Sequence, residues 1–232
     1  MSPCHLVMSC IFQQELITNH SQVVSDCLCL SLACILVTYP ATVTNMLLSS
    51  THPLPDVIED QIEELVTQQQ FPWYLVKETT FADSGYKPYE GRFNNSSFSH
   101  VVVMDYEPVS QYYDLFESAL RLIADAAGQD FRDVYRVRLG CLLPDKLDHH
   151  CPHVDFEDEH VTALYYVNKS DGDTIFFSDE MSIFQHRCQL RVEPERGKMV
   201  VFNGNVLHAS SSPSEGFRIA LNVNFKPRVS QS

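Results

Sequence analysis

A chain of 232 residues has room for one domain, or two at most. Its 44% hydrophobic content suffices for a buried core and excludes a wholly disordered protein. A formal net charge of −14, with no run of Lys or Arg, repels a phosphate backbone, so no nucleic-acid partner is expected.

Residues 1–50 read as an extension. They are rich in Cys, Ser and Leu, and the first basic side chain of the chain is Lys77. Five cysteines (Cys4, Cys10, Cys27, Cys29, Cys34) fall there, and Cys141, Cys151 and Cys188 follow. None forms a CxxC pair, so a structural zinc site and a dithiol redox motif are not expected. Reduced thiols and a cytoplasmic location are. The apolar stretch CLCLSLACILVTY (27–39) is short for a bilayer span and lacks a basic flank. The expectation is therefore a poorly ordered extension, or sequence upstream of a start at Met46, rather than a membrane anchor.

Residues 51–130 read as a helical support region. LPDVIEDQIEELVTQQQ places Val57, Ile58, Ile62, Leu65 and Val66 at helical spacing, with Pro55 and Asp56 suited to the first turn. FPWYLV (71–76) reads as extended, and residues 81–100 as a turn-rich loop. SQYYDLFESALRLIADAAG (110–128) predicts a second helix with Ser110 near its N-cap and Gly128 at C′. Its expected buried stripe is Tyr112, Leu115, Phe116, Ala119, Leu122, Ile123 and Ala126.

From residue 131 the pattern changes to short strands. VYRVRLGCLL, HVTALYYVN, DTIFF, CQLRVEP, KMVVFNG and GFRIALNVNF are separated by turn signals such as Asp171-Gly172 and Asn203-Gly204. Two helices followed by many strands predict a mainly β fold with supporting helices (α+β), a β-sandwich or jelly roll over 131–232, with 51–232 as one domain.

The stretch CPHVDFEDEH (151–160) packs two histidines and four carboxylates into ten positions. In an extended segment His153 and Asp155 share a face, which supplies two metal ligands but not a site. The pair His149 and His153 has zinc-helix spacing, but Pro152 argues against a helix there. His149, His150 and His160 then read as surface or supporting residues, and Glu157, Asp158 and Glu159 as a solvated turn. His208 lies 53 residues after Asp155, and Arg218 ten residues further on, in an alternating apolar strand whose same-face neighbours Gly216 and Ala220 are small. Taken alone, Arg218 reads as an edge-strand arginine facing water. Taken together, two histidines, one carboxylate and an arginine form the facial triad of a non-heme Fe(II) oxygenase with a planar fork for a carboxylate co-substrate.

HVD, HVTALYYVNKSDGDTIFF, PERGKMVVF, LHASSSP and GFRIALNVNF, in this order, resemble the Fe(II)/2-oxoglutarate-dependent dioxygenases of the prolyl-hydroxylase-like branch. The resemblance covers residues 131–227 and implies a double-stranded β-helix of the jelly-roll or cupin-like kind. It implies His153, Asp155 and His208 as Fe(II) ligands and Arg218 as the partner of the distal carboxylate of 2-oxoglutarate. Tyr166 would join that carboxylate, and Thr174 would line the same pocket. Several members carry a tyrosine about ten residues before the HxD motif, where this chain has Leu143; Tyr135, Arg136 and Arg138 remain candidates for that role. The implied activity is hydroxylation with O2, coupled to conversion of 2-oxoglutarate to succinate and CO2, with ascorbate as a possible supporting reductant. A prolyl residue of a peptide or protein is the first substrate expectation, and a small molecule such as an amino acid the second. The competing classes are a jelly-roll binding module without oxidative chemistry and a zinc hydrolase.

Overall fold

Alternating side chains after residue 131 become strands that bury both of their faces. In the computed structural model the described residues are 47–77, 96–177 and 188–228, all within one compact unit spanning 36–232. The strands are β1 (Leu47–Thr51), β2 (Tyr74–Val76), β3 (Ser97–Met104), β4 (Glu107–Pro108), β5 (Val134–Leu142), β6 (Val161–Tyr166), β7 (Thr174–Phe177), β8 (Cys188–Val192), β9 (Met199–Asn203), β10 (His208–Ser210) and β11 (Arg218–Phe225). The helices are α1 (Asp56–Thr67) and α2 (Tyr113–Ala126). A large sheet runs β1-β9-β6-β11-β5-β3-β2 with β4 beside β3, and a small sheet runs β10-β7-β8. All pairings are antiparallel.

Strand period sorts the large sheet into two faces. Val137, Leu139, Ala163, Tyr165, Met199, Val201, Leu221 and Val223 pack into one cluster with Ile62, Val66, Phe116, Leu120 and Ile123 of the helices. Leu164, Tyr166, Val200, Phe202 and Ala220 pack the other way, against Phe176 and Val192 of the small sheet. This two-sheet arrangement with helices on one outer face is the expected double-stranded β-helix.

Helix α2 ends as the sequence predicts. Gly128 has φ +66; its N–H reaches Asp125 O at 3.0 Å and the Gln129 N–H reaches Ala124 O at 2.9 Å, the Schellman pattern. At the other end the cap is Tyr112 rather than Ser110, whose Oγ accepts from Tyr112 N at 3.0 Å. The buried face is Phe116, Ala119, Leu120, Ile123 and Ala124, while Leu115 is 62% exposed. Periodicity admits neighbouring stripes, and packing against the sheet chose the one rotated by about one residue. In α1, Val57 is likewise exposed and Ile62 and Val66 carry the burial.

The short strands β4 and β10 are absent from the sequence reading, and two longer elements, β1 and β3, depart from it. Strand β1 pairs with β9 from Leu47↔Phe202 to Thr51↔Met199, so the sheet takes in residues 47–50 of the expected extension. Strand β3 begins inside the expected loop 81–100 and pairs with β5, Ser99 opposite Gly140 and Val101 opposite Arg138. Both owe their strand state to partners distant in sequence, which local patterning does not report. The rest of that loop, the stretch CLCLSLACILVTY and the five early cysteines lie outside the described residues. Among the described residues no helix is long and apolar enough to cross a membrane.

Candidate active site

The chain before β6 runs extended along β10. The His153 N–H donates to His208 O at 2.9 Å and the His208 N–H to His153 O at 3.0 Å, an isolated bridge beyond the edge of the small sheet. Residues directly opposite on paired strands project to the same side, so the two imidazoles meet with centroids 4.7 Å apart. Asp155, two residues on, adds its carboxylate, and one donor atom from each of the three lies within 4.8 Å of the others.

The backbone sets both tautomers. His153 Nδ1 lies 3.1 Å from Cys151 O, and His208 Nδ1 lies 2.9 Å from Val206 O. A carbonyl only accepts, so each Nδ1 carries the hydrogen and each Nε2 keeps a lone pair. Burial, then the neighbouring His208, lowers the His153 pKa to about 4, so the imidazole is neutral at pH 7.

Asp155 is clamped on both oxygens. Arg136 Nη2 donates to Oδ1 at 2.9 Å, while Asn222 and Asn224 Nδ2 donate to Oδ2 at 3.0 and 2.9 Å. Burial alone would raise this carboxyl, but Arg136, His208, His153 and Asn222 together hold it well below the usual carboxylate range. Two imidazole nitrogens and one fixed carboxylate are the donor set that a divalent transition metal prefers, so the residues fit the expected Fe(II).

At the other end of the same cavity sits Arg218. The edge-strand reading of this residue fails, because β11 lies between β6 and β5 and Arg218 is only 5% exposed. Its Nη2 donates to Thr174 Oγ1 at 2.8 Å, and the Tyr166 hydroxyl donates to the same oxygen at 2.8 Å. With two donors on its oxygen, the Thr174 hydroxyl still has its own hydrogen to offer a ligand. Arg218 Nε is buried without a hydrogen-bond partner among the described residues. An orphaned buried guanidinium nitrogen beside a spare hydroxyl hydrogen is a seat for an anion.

The cavity joining the two ends measures about 690 Å3, its mouth included. Gly140 and Ala220, cross-strand neighbours, leave its floor open. Leu142, Leu164 and Phe202 wall it, and Arg138, Asn222 and Ser97 add polar groups.

Residues 143–226 match the family model of the 2OG-Fe(II) oxygenase superfamily. This segment, which holds His153, Asp155, His208 and Arg218, is similar to the 2OG-Fe(II) oxygenases. The cofactors of that family are Fe(II), 2-oxoglutarate and O2. Among solved structures the oxygenase core resembles AviO1 from Streptomyces viridochromogenes Tue57, with TM-score 0.52, 12% identity and coverage of 81% of this chain and 93% of that one. It also resembles EvdMO1, with TM-score 0.51, 12% identity and coverage of 81% and 49%. An oxidoreductase of the 2OG-Fe(II) oxygenase family from Burkholderia pseudomallei matches at TM-score 0.49 and 14% identity, covering 72% and 78%. At these identities the likeness is one of fold. No curated protein sequence matches the chain.

The structure brings His153, Asp155, His208, Arg218 and Thr174 of the oxygenase core to one cavity, with Tyr166 fully buried behind Thr174. Of the three candidates for the remaining ligand position, Arg138 lines the cavity, Arg136 is committed to Asp155, and Tyr135 meets Tyr106 and Phe156 edge-to-face instead. Leu143 is 46% exposed. His149 is not on a helix, so no zinc-helix pair with His153 forms. His150 and His160 are buried rather than superficial, whereas Glu157, Asp158 and Glu159 form the exposed turn expected. Asn222 and Asn224 were missed. Their signal was present, since they stand at i+4 and i+6 from Arg218 on the same face of an otherwise apolar strand.

Proposed function

We propose that this oxygenase core hydroxylates an organic substrate with Fe(II) held by His153, Asp155 and His208. 2-Oxoglutarate would be seated through its distal carboxylate on Arg218, Thr174 and Tyr166. The observation that carries the reading is the convergence of two Nε2 lone pairs and a clamped carboxylate in the cavity that also holds the orphaned Arg218 Nε. Bound Fe(II) supplies the activation of O2 that couples decarboxylation of 2-oxoglutarate to substrate oxidation.

The chain's own residues do the rest. Neutral His153 and ionised Asp155 need no proton release before the metal binds. Cys151 O and Val206 O hold the two rings in orientation, and Arg136, Asn222 and Asn224 hold the carboxylate. Arg218 orients the co-substrate along β11 toward the metal ligands, and Leu142, Leu164 and Phe202 restrict water. A zinc hydrolase is less well served, because Asp155 is the only carboxylate among the described cavity-lining residues and it is already clamped, leaving no general base.

For the substrate, the motif VTALYYVN and its neighbours favour a prolyl residue of a peptide or protein. A small carboxylate-bearing molecule is favoured instead by Arg138, which lines the cavity beside the metal-ligand candidates. Ascorbate is expected to sustain turnover.

The test is anaerobic. Purified protein with Fe(II) and 2-oxoglutarate is expected to develop a weak visible charge-transfer band without substrate, absent in His208→Ala and weakened in Arg218→Ala. A folded, iron-loaded wild type with no band overturns the oxygenase reading in favour of a binding module.

A further inference from the structure

A second guanidinium lines the cavity that holds Arg218. Arg138 sits on β5 opposite Asn222 of β11, and its side chain lines the cavity with His153 and Asp155. Its charge bears on two of the three metal-ligand candidates, Asp155 and His153. Neighbouring Arg136 is bonded to Asp155 and Asn224, whereas Arg138 makes no hydrogen bond or ion pair among the described residues. A half-buried arginine left so is costly unless something else supplies an anion.

2-Oxoglutarate does not account for it. Its distal carboxylate is matched by Arg218, four residues before Asn222 on β11, and by Thr174 of β7, and its keto acid end belongs at the metal. A divalent ion with Arg136, Arg138 and Arg218, set against Asp155 and the 2-oxoglutarate dianion, leaves a surplus of positive charge in the cavity. A neutral substrate would leave that surplus buried; an anionic one reduces it. Beside Arg138, Asn222 Oδ1 is a buried acceptor with no donor among the described residues. A guanidinium fork next to a spare acceptor matches a carboxylate next to an N–H.

We propose that Arg138 is the substrate-recognition residue, and that the substrate carries a free carboxylate flanked by an N–H, as in an amino acid or N-acyl amino acid. The proposal rests on the oxygenase reading above and narrows its substrate. It leaves an internal prolyl residue, which has no free carboxylate, without a partner for Arg138.

The experiment is calorimetric titration of the full chain loaded with Mn(II) and saturated with 2-oxoglutarate, so that no turnover occurs. The probes are the N-acetyl derivatives of alanine, leucine, glutamate and phenylalanine, each paired with its primary amide. At least one acid is expected to bind at least tenfold more tightly than its amide. That difference is expected to vanish in Arg138→Gln and partly return in Arg138→Lys, with 2-oxoglutarate affinity within twofold of wild type in both. Tenfold corresponds to about 1.4 kcal/mol. Acids and amides binding equally to wild type, or no acid binding, overturns the proposal and needs no variant to fold. A loss of 2-oxoglutarate affinity in a folded Arg138→Gln reassigns Arg138 to the co-substrate and also overturns it. Failure of wild type to bind 2-oxoglutarate at all is a different result, and sinks the oxygenase reading itself.

Discussion

Replacing Arg136 with Met tests whether the Asp155 clamp exists for the metal. Arg136 and Asp155 are 2.9 Å apart with side chains only 13% and 7% exposed. Removing one partner of a buried pair costs about 3–5 kcal/mol, because the other charge stays buried and unpaired. Asp155 keeps its bonds from Asn222 and Asn224, which places the expected loss near the lower end, at about 3 kcal/mol. A divalent ion on Asp155 restores a cationic partner, and the ion no longer faces Arg136. Mn(II) should therefore bind Arg136→Met more tightly than wild type and recover much of the lost stability, through binding to the native state alone. Urea denaturation of both proteins, with and without Mn(II), measures this. The acid limb provides a second readout. A carboxylate whose folded pKa is depressed gives stability that is present above about pH 4 and lost as pH falls, so removing Arg136 should flatten that limb. An apo deficit under about 1 kcal/mol, the level of an exposed pair, or a deficit that Mn(II) leaves unchanged, refutes the reasoning.

Three further outcomes follow from the same geometry. Thr174→Val strips the acceptor from both Arg218 and Tyr166; it should cost about 1–3 kcal/mol by leaving buried donors unpaired and raise the 2-oxoglutarate Kd, and unchanged co-substrate affinity would separate Thr174 from the seat. Gly204→Ala drives a Cβ into the buried His160 ring, so overpacking should lower stability by about 1–3 kcal/mol; a melting temperature equal to wild type would mean that the His160 ring yields freely. Burial lowers the pKa of His150 and of His160. Protonation therefore favours the unfolded chain, stability is full above about pH 6.5 and declines below it, and a urea midpoint that is flat or rises from pH 7.5 to 5.5 would refute this.

The chemistry was legible because the site is built from one-dimensional rules. His153 and Asp155 share a face because strand side chains alternate, and Arg218 faces inward with Ala220 for the same reason. Six strands after residue 131 and both helices could be read from periodicity and turn residues. Register was not legible. Which residue opposes which depends on contacts closed over long loops, and a shift of one residue would turn every side chain to the other face. So β1 and β3, whose partners lie far along the chain, were missed or assigned elsewhere. Arg136 and Arg138 sit two residues apart on one face of β5, and nothing in VYRVRLG says which pairs with an acid. Register on β11 decides it: Arg136 opposes Asn224 and joins the Asp155 clamp, while Arg138 opposes Asn222 and faces the cavity without a partner among the described residues. The sequence by itself determined the donor set and the faces on which it stands. Only the tertiary structure decided which charges neutralise one another, because pairing depends on distances across strands and alternation along one strand does not encode them.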